Sequence, residues 1–129
     1  MSIKQLEMRD YLSQSVPLVG LSPQWLDEIM RVVKAEFIPQ GQYIHRIGET
    51  NDVLRFIRSG GIEVTKADGS LYGQFSDGDW VGYRSLMTPD HKISSDVKTI
   101  EDTVFYVLPG QLFTRLLAEQ ERVRKYFSE

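Results

Sequence analysis

The segment from residue 78 to 95, GDWVGYRSLMTPDHKISS, has the chemically most suggestive spacing in the chain. Glycines at 78 and 82 bracket Trp80-Val81, and Tyr83-Arg84-Ser85-Leu86 follows as a stretch the length of one helical turn. Backbone N–H groups that open such a turn lack intrahelical partners and can converge on an anion. Arg84 and Lys92 put cations on the same segment, and Ser85, Ser94 and Ser95 add hydroxyl donors. This combination offers recognition of a phosphate or another anion. The candidate binding residues are Gly82, Tyr83, Arg84, Ser85, Leu86, Lys92, Ser94 and Ser95. The competing reading makes Arg84 and Lys92 solvated surface cations and the Tyr83 ring a filler of the pocket, because such cations are mostly exposed and Tyr serves as apolar body with a polar tip.

Other residue types point away from catalysis. The chain has no cysteine, which excludes disulfides, thiol catalysis and thiolate metal sites. Of its two histidines, His45 is flanked by Ile44 and Arg46, so the His-x-His pair of a jelly-roll metalloenzyme is missing. His45 is expected to be a half-exposed strand residue and His91 a loop residue. Asp77 and Asp79 flank Gly78, and a turn explains them better than acid–base work. Gly60-Gly61 does not fit a dinucleotide or Walker-type fingerprint. No serine has a His–acid pair near it in sequence. Arg55, Arg58 and Lys66 are expected on an exposed strand face, and Trp80 in the core under the 78–95 segment. No cofactor is required by any of these residues.

The positioning elements can be read from periodicity. Ile3, Leu6, Met8, Tyr11 and Leu12 give a helical stripe that Pro17 and Gly20 interrupt. Ser22 can cap a second helix with Pro23 at its first position, and Leu21 can staple to Leu26. Leu26, Ile29, Met30 and Val33 continue that helix. From residue 35 the pattern turns to short apolar or alternating runs at 36–38, 43–46, 53–58, 62–66, 71–75, 97–100 and 104–108, punctuated by glycine. Asp68-Gly69 predicts a hairpin between two of them. Many short strands with regular turns predict a sandwich or jelly roll. Pro109 opens a closing helix with Phe113, Leu116 and Leu117 on one face, and residues 119–127 either continue it or begin another.

Bulk numbers fit this picture. A chain of 129 residues with 41% hydrophobic and 26% charged content suits one soluble domain, here residues 1–129. The N-terminus lacks the apolar core of a signal peptide, and no apolar run is long enough to cross a bilayer. A cytoplasmic location without membrane contact is expected. A net charge of -3 argues against direct nucleic-acid binding. The abrupt end in an amphipathic segment suggests a domain excised from a longer protein. EQERVRKYF offers a surface for a downstream helix or for a second copy in a homodimer.

The order helix, jelly roll, short 78–95 cassette, two strands and helix resembles the cyclic-nucleotide-binding domain family. LSPQWLDEI, the glycine-punctuated stretch IPQGQYIHRIGETNDVLRFIRSGGIEVTKADGSLYGQFSDGDWVG and TIEDTVFYVLPGQLFTRLL carry the match over nearly the whole chain. The resemblance implies a mainly β fold, a cyclic-nucleotide-binding-like jelly roll (double-stranded β-helix) with N- and C-terminal helices, and a regulatory rather than enzymatic role. The family's cassette uses a Glu for the ribose hydroxyl and an Arg for the cyclic phosphate. Aligned without gaps, those positions hold Tyr83 and Ile93 here. The resemblance thus implies that binding of cAMP or cGMP is weakened or lost, with another nucleotide or anion as the ligand. The alternatives are a ligand-free interaction platform, the effector domain of a transcription regulator, or a cupin-type metalloenzyme. GYRSL and EDTVFYVLP are also similar to domains that precede CBS modules and a nucleotidyltransferase domain, which implies such domains as downstream partners in signal transduction.

Overall fold

The computed structural model describes residues 2–128. Helices α1 (Ile3–Ser13) and α2 (Pro23–Val32) lead into six strands: β1 (Lys34–Ile38), β2 (Tyr43–His45), β3 (Val53–Ser59), β4 (Gly61–Thr65), β5 (Leu71–Ser76) and β6 (Trp80–Val81). A one-turn helix, α3 (Tyr83–Leu86), precedes β7 (Asp96–Thr99) and β8 (Thr103–Pro109). Helices α4 (Gly110–Glu119) and α5 (Glu121–Phe127) follow. The strands form two four-stranded antiparallel sheets, ordered β1-β8-β3-β6 and β2-β7-β4-β5. The architecture is the mainly β roll with flanking helices that the sequence predicts. Its sheet pairing brings chain-distant strands together, with β8 between β1 and β3.

Local chemistry explains the element boundaries. Ser22 Oγ accepts from Trp25 N at 3.2 Å with Pro23 at the helix start, as its sequence position predicts. The Asp68-Gly69 hairpin forms between β4 and β5. Gly69 adopts φ +87°, and Asp68 Oδ1 accepts from Ser70 N at 2.9 Å. Gln120 is extended at φ -121°, so residues 121–127 begin a separate helix. Three details differ from expectation. The stripe of α1 buries Met8 and Leu12 while Ile3 and Leu6 stay exposed. Trp80-Val81 forms a strand, paired with Phe56 and Arg55 of β3. Pro109 ends β8 and caps α4 rather than entering it.

The larger core lies outside the roll, between the β1-β8-β3-β6 sheet and the helices. Leu54, Phe56, Trp80, Tyr106 and Leu108 of the sheet meet Leu12, Ile29, Phe113, Leu116, Val123 and Phe127 of the helices there. Aromatic edges tie it together: the Phe56 ring lies 4.7 Å from Trp80, 5.8 Å from Tyr11 and 6.2 Å from Tyr106. Trp80 Nε1 donates to Val16 O at 2.9 Å, so the indole carries no unmet donor. A smaller cluster of Ile57, Ile62, Val81, Val97 and Phe105 fills part of the roll interior. Register follows from β alternation: Leu54 and Phe56 face the helices while Arg55 and Ile57 face inward.

Candidate functional site

The turn that carries the cassette is built on Gly82. Its φ of +92° belongs to the left-handed region, which glycine adopts without steric cost. A Cβ there would also lie 3.0 Å from Asn51 Nδ2 and 3.1 Å from Val53 O. Asn51 is 4% exposed and works as a strut. Its Nδ2 donates to Val53 O at 2.9 Å and to Ser85 Oγ at 3.0 Å, and its Oδ1 accepts from Val53 N at 3.2 Å. Ser85 Oγ in turn donates to Gly82 O at 2.9 Å. The start of α3 is therefore pinned to the start of β3 by buried, satisfied polar groups. Gly82 gives α3 no side-chain cap, so its first amides remain available.

A cavity of about 140 Å³ opens between α3, the loop before β7 and the inner face of the β2-β7-β4-β5 sheet. Six of the candidate residues line it: Gly82, Tyr83, Arg84, Ser85, Ser94 and Ser95. Leu86 is instead buried in the helix-side core. Lys92 lies away from the wall, with Nζ donating to Thr50 Oγ1 at 3.2 Å. Ile93, 7% exposed, contributes an apolar patch with Ile62, Val64, Val81 and Val97. Arg84 sits at the rim. Its guanidinium lies 4.9 Å from the Tyr72 ring and donates to the Tyr72 hydroxyl, which raises its already high pKa. Arg84 is the one cation on the wall among the described residues, and no carboxylate lines it.

Two side chains overturn their expected exposure. His45 is 5% exposed and reaches the cavity, where its Nε2 lies 3.5 Å from the position of a Cβ at Gly82. The reason is register: His45 pairs with Val97 and points into the roll with it. Burial first, then the charge of Arg55, push its pKa from 6.5 down to about 4, against the smaller pull of Glu49 and Glu36. Arg55 is likewise interior, its side chain 14% exposed. Its Nε donates to Glu36 Oε1 at 2.8 Å, and its Nη1 lies 3.5 Å from His45 Nε2. Arg58 differs again and lies 3.9 Å over the Tyr11 ring. The only sequence sign of an inward Arg55 is its place between Leu54 and Phe56, whose apolar character marks the opposite face.

Tyr83 leaves the cavity open. Its ring centroid is 5.0 Å from that of Phe127 on α5, and with Trp80 and Phe75 it also lines a second cavity of about 220 Å³ beside Tyr126 and Asp79. Burial first, then Asp79 and Tyr83, raise the pKa of Tyr126. Asp77 and Asp79 hold the turn: Asp77 Oδ1 accepts from Gly60 N at 2.9 Å, and Asp79 Oδ2 from Ser76 N at 2.9 Å. His91 stays in its loop at φ +55°, off the cavity wall. Among the described residues no three His, Asp or Glu side chains group to hold a metal ion. No described helix is long and apolar enough to cross a membrane.

With this roll and cassette in view, residues 35–120 match the family model of the cyclic nucleotide-binding domain. The chain belongs to the cyclic nucleotide-binding domain family. It is 23% identical over 125 residues to the cGMP-dependent protein kinase egl-4 of Caenorhabditis briggsae, covering 93% of this chain and 17% of that protein. The chain spans roughly a sixth of the length of the curated relatives it matches. The regulatory domain of Toxoplasma gondii PKA, co-crystallised with cAMP, superposes with a TM-score of 0.83 at 21% identity, over 96% of this chain and 48% of that one. The regulatory subunit of a cAMP-independent protein kinase A from Trypanosoma brucei superposes with a TM-score of 0.81 at 23% identity, over 97% of this chain and 46% of that one. At such identities these likenesses speak for the fold.

Proposed function

We propose that this domain is a sensory module whose cavity takes a phosphate-bearing ligand, with binding of cAMP and cGMP weakened or lost. The observation that carries this reading is the polar make-up of the cavity wall. Tyr83 and Ile93 stand on it where the family resemblance places a ribose-binding Glu and a phosphate-binding Arg. An Arg–phosphate pair is a charge-assisted, often bidentate interaction, and its loss from a partly buried site costs about 2–5 kcal/mol. What remains is a set of open amides at the start of α3, the hydroxyls of Ser94 and Ser95, and Arg84 at the rim. These groups can still grip a phosphate. A volume of about 140 Å³ suits the polar end of a nucleotide rather than the whole, since pockets that enclose a drug-sized ligand run to about 300–1,000 Å³.

The role is regulatory rather than catalytic. Tyr83 touches both the ligand cavity and Phe127, so a ligand that prefers one position of Tyr83 biases the docking of α5. Its targets are attached domains of the same protein, of the CBS and nucleotidyltransferase kind suggested by GYRSL and EDTVFYVLP, or a second copy of the domain. Titration calorimetry against a panel of nucleoside mono- and cyclic phosphates tests the reading. The expected result is heat with a noncyclic or unusual nucleotide, reduced at least tenfold in affinity by Arg84→Ala. Tight binding of cAMP, or no heat with any phosphate, would refute it.

A further inference from the structure

The second cavity, of about 220 Å³, reverses the charge of the first. Phe75, Trp80, Tyr83, Tyr126 and Phe127 line it with five aromatic rings, Asp79 adds one carboxylate, and no lysine or arginine lines it. The rings come from β5, β6, α3 and α5, and they stand as walls rather than as one stack. Trp80 and Tyr126 cross Phe127 at 82° and 86°, with centroids 5.9 and 4.9 Å away, and Tyr83 tilts against it by 49° at 5.0 Å. Trp80 Nε1 donates to Val16 O, so the indole has no donor left for a ligand. Asp79 Oδ2 accepts from Ser76 N, and among the described residues Asp79 forms no salt bridge. Elsewhere the chain covers its rings with its own cations: Arg58 lies 3.9 Å from the Tyr11 centroid, Arg46 3.9 Å from Tyr43, Arg84 4.9 Å from Tyr72 and Arg115 5.1 Å from Trp25. Among the described residues Phe75, Trp80, Tyr126 and Phe127 have no such cation. Arg84 lies 5.9 Å from the Tyr83 centroid but lines only the first cavity.

We propose that this second cavity is a binding site for a small N-alkylated ammonium ion, a cation of the choline type, held among the five rings with Asp79 as its counter-ion. The faces of aromatic rings carry negative potential and attract a cation most strongly when water is excluded from it. A carboxylate in the same wall adds Coulomb attraction and repels anions. The charge of Asp79 also reaches the Tyr126 hydroxyl, whose pKa it raises after burial does. A hard metal ion fits poorly, since it asks for about six oxygen ligands and the wall holds one carboxylate. An uncharged guest would cover Asp79 without compensating its charge. Size agrees, because a cavity of roughly 150 Å³ takes a benzene-sized guest and a trimethylammonium group is no larger. The site reaches from the cassette to α5, so an ion within it touches Tyr83 on one side and Tyr126 and Phe127 on the other. Its occupation ties α5 to the roll. Nothing in it requires a phosphate in the first cavity.

A nitrogen-15 NMR titration of the whole domain with choline chloride tests this. Potassium chloride at equal ionic strength and 3,3-dimethyl-1-butanol, the uncharged isostere of choline, serve as comparators. The expected result is saturable movement of the Trp80 indole N–H and of the amides of Asp79, Tyr83, Tyr126 and Phe127 at millimolar choline. The alcohol should bind about tenfold more weakly or worse. Asp79→Asn keeps an acceptor for Ser76 N and should weaken choline binding by about tenfold. Tyr126 is 39% exposed, so Tyr126→Leu keeps the fold and should weaken binding by about fivefold or more. Amide exchange over residues 121–127 should slow in proportion to occupancy. No saturable shift, equal binding of choline and the alcohol, shifts matched by potassium chloride, or unchanged affinity in both variants would overturn the site. Binding that leaves exchange over residues 121–127 unaltered would overturn the tie to α5. None of these results bears on the phosphate reading, which the nucleotide calorimetry decides separately.

Discussion

The two faces of β3 follow different rules. Leu54 and Phe56 face the helices, fully buried in a dense aromatic core. Arg55 and Ile57 face the roll, where a small apolar cluster gives way to an ion pair, a buried histidine and a cavity. The first face is packed with apolar and aromatic side chains, and its few polar groups are met locally, as where Trp80 Nε1 bonds Val16 O. The second keeps open space and holds titratable groups within a few ångströms of it. The larger share of the buried apolar packing therefore lies on the helix side.

Breaking the helix-side face should have the largest effect. Phe56→Ala removes a ring that touches Tyr11, Trp80 and Tyr106, and should cost about 3–5 kcal/mol in urea unfolding. Next comes His45. Its folded midpoint near 4 lies below its ordinary 6.5, so between those values the unfolded chain binds more protons than the folded one. Its contribution is present in full above about pH 6.5 and is lost as pH falls towards 4, by about 3 kcal/mol in all. The difference in stability between wild type and His45→Gln, followed over that window, should show this slope. Gly82→Ala forces a left-handed alanine against Asn51 and Val53 and should cost about 1–2 kcal/mol. Arg84→Ala is the smallest. At the exposed rim it should change stability by no more than about 0.5 kcal/mol, even where ligand binding is lost. A large stability loss there would erase the contrast between the two faces.

The sequence carries the strands more clearly than the site. Seven of the eight strands coincide with apolar runs between glycines, and the Ser22 cap and the Asp68-Gly69 turn form where their local chemistry requires. β6 is only Trp80-Val81, too short for periodicity to register. The inward turn of Arg55 was hidden for a different reason. Alternation with Leu54 and Phe56 puts Arg55 on the opposite face, but in a strand covered on both faces it does not say that this face is interior. Its partner Glu36 lies 19 residues away on a strand that reaches it only across β8. Six of the candidate residues reach the cavity together because one continuous segment supplies them. His45 joins the cavity wall through its register with Val97, and Asn51 braces the Gly82 turn from outside the wall through its bond to Ser85.

The break at Gln120 has a consequence for what α5 is. A helix of seven residues cannot sustain its own hydrogen bonds in water, where about 12–15 are needed even for marginal helicity. Residues 121–127 therefore hold their shape through Val123 and Phe127, which lie buried against the rest of the domain. For this segment, attachment and folding are one event. If Phe127 leaves Tyr83 and Trp80, what departs is a loose strand of chain rather than a rigid lever, and a loss of far-ultraviolet ellipticity would register each departure.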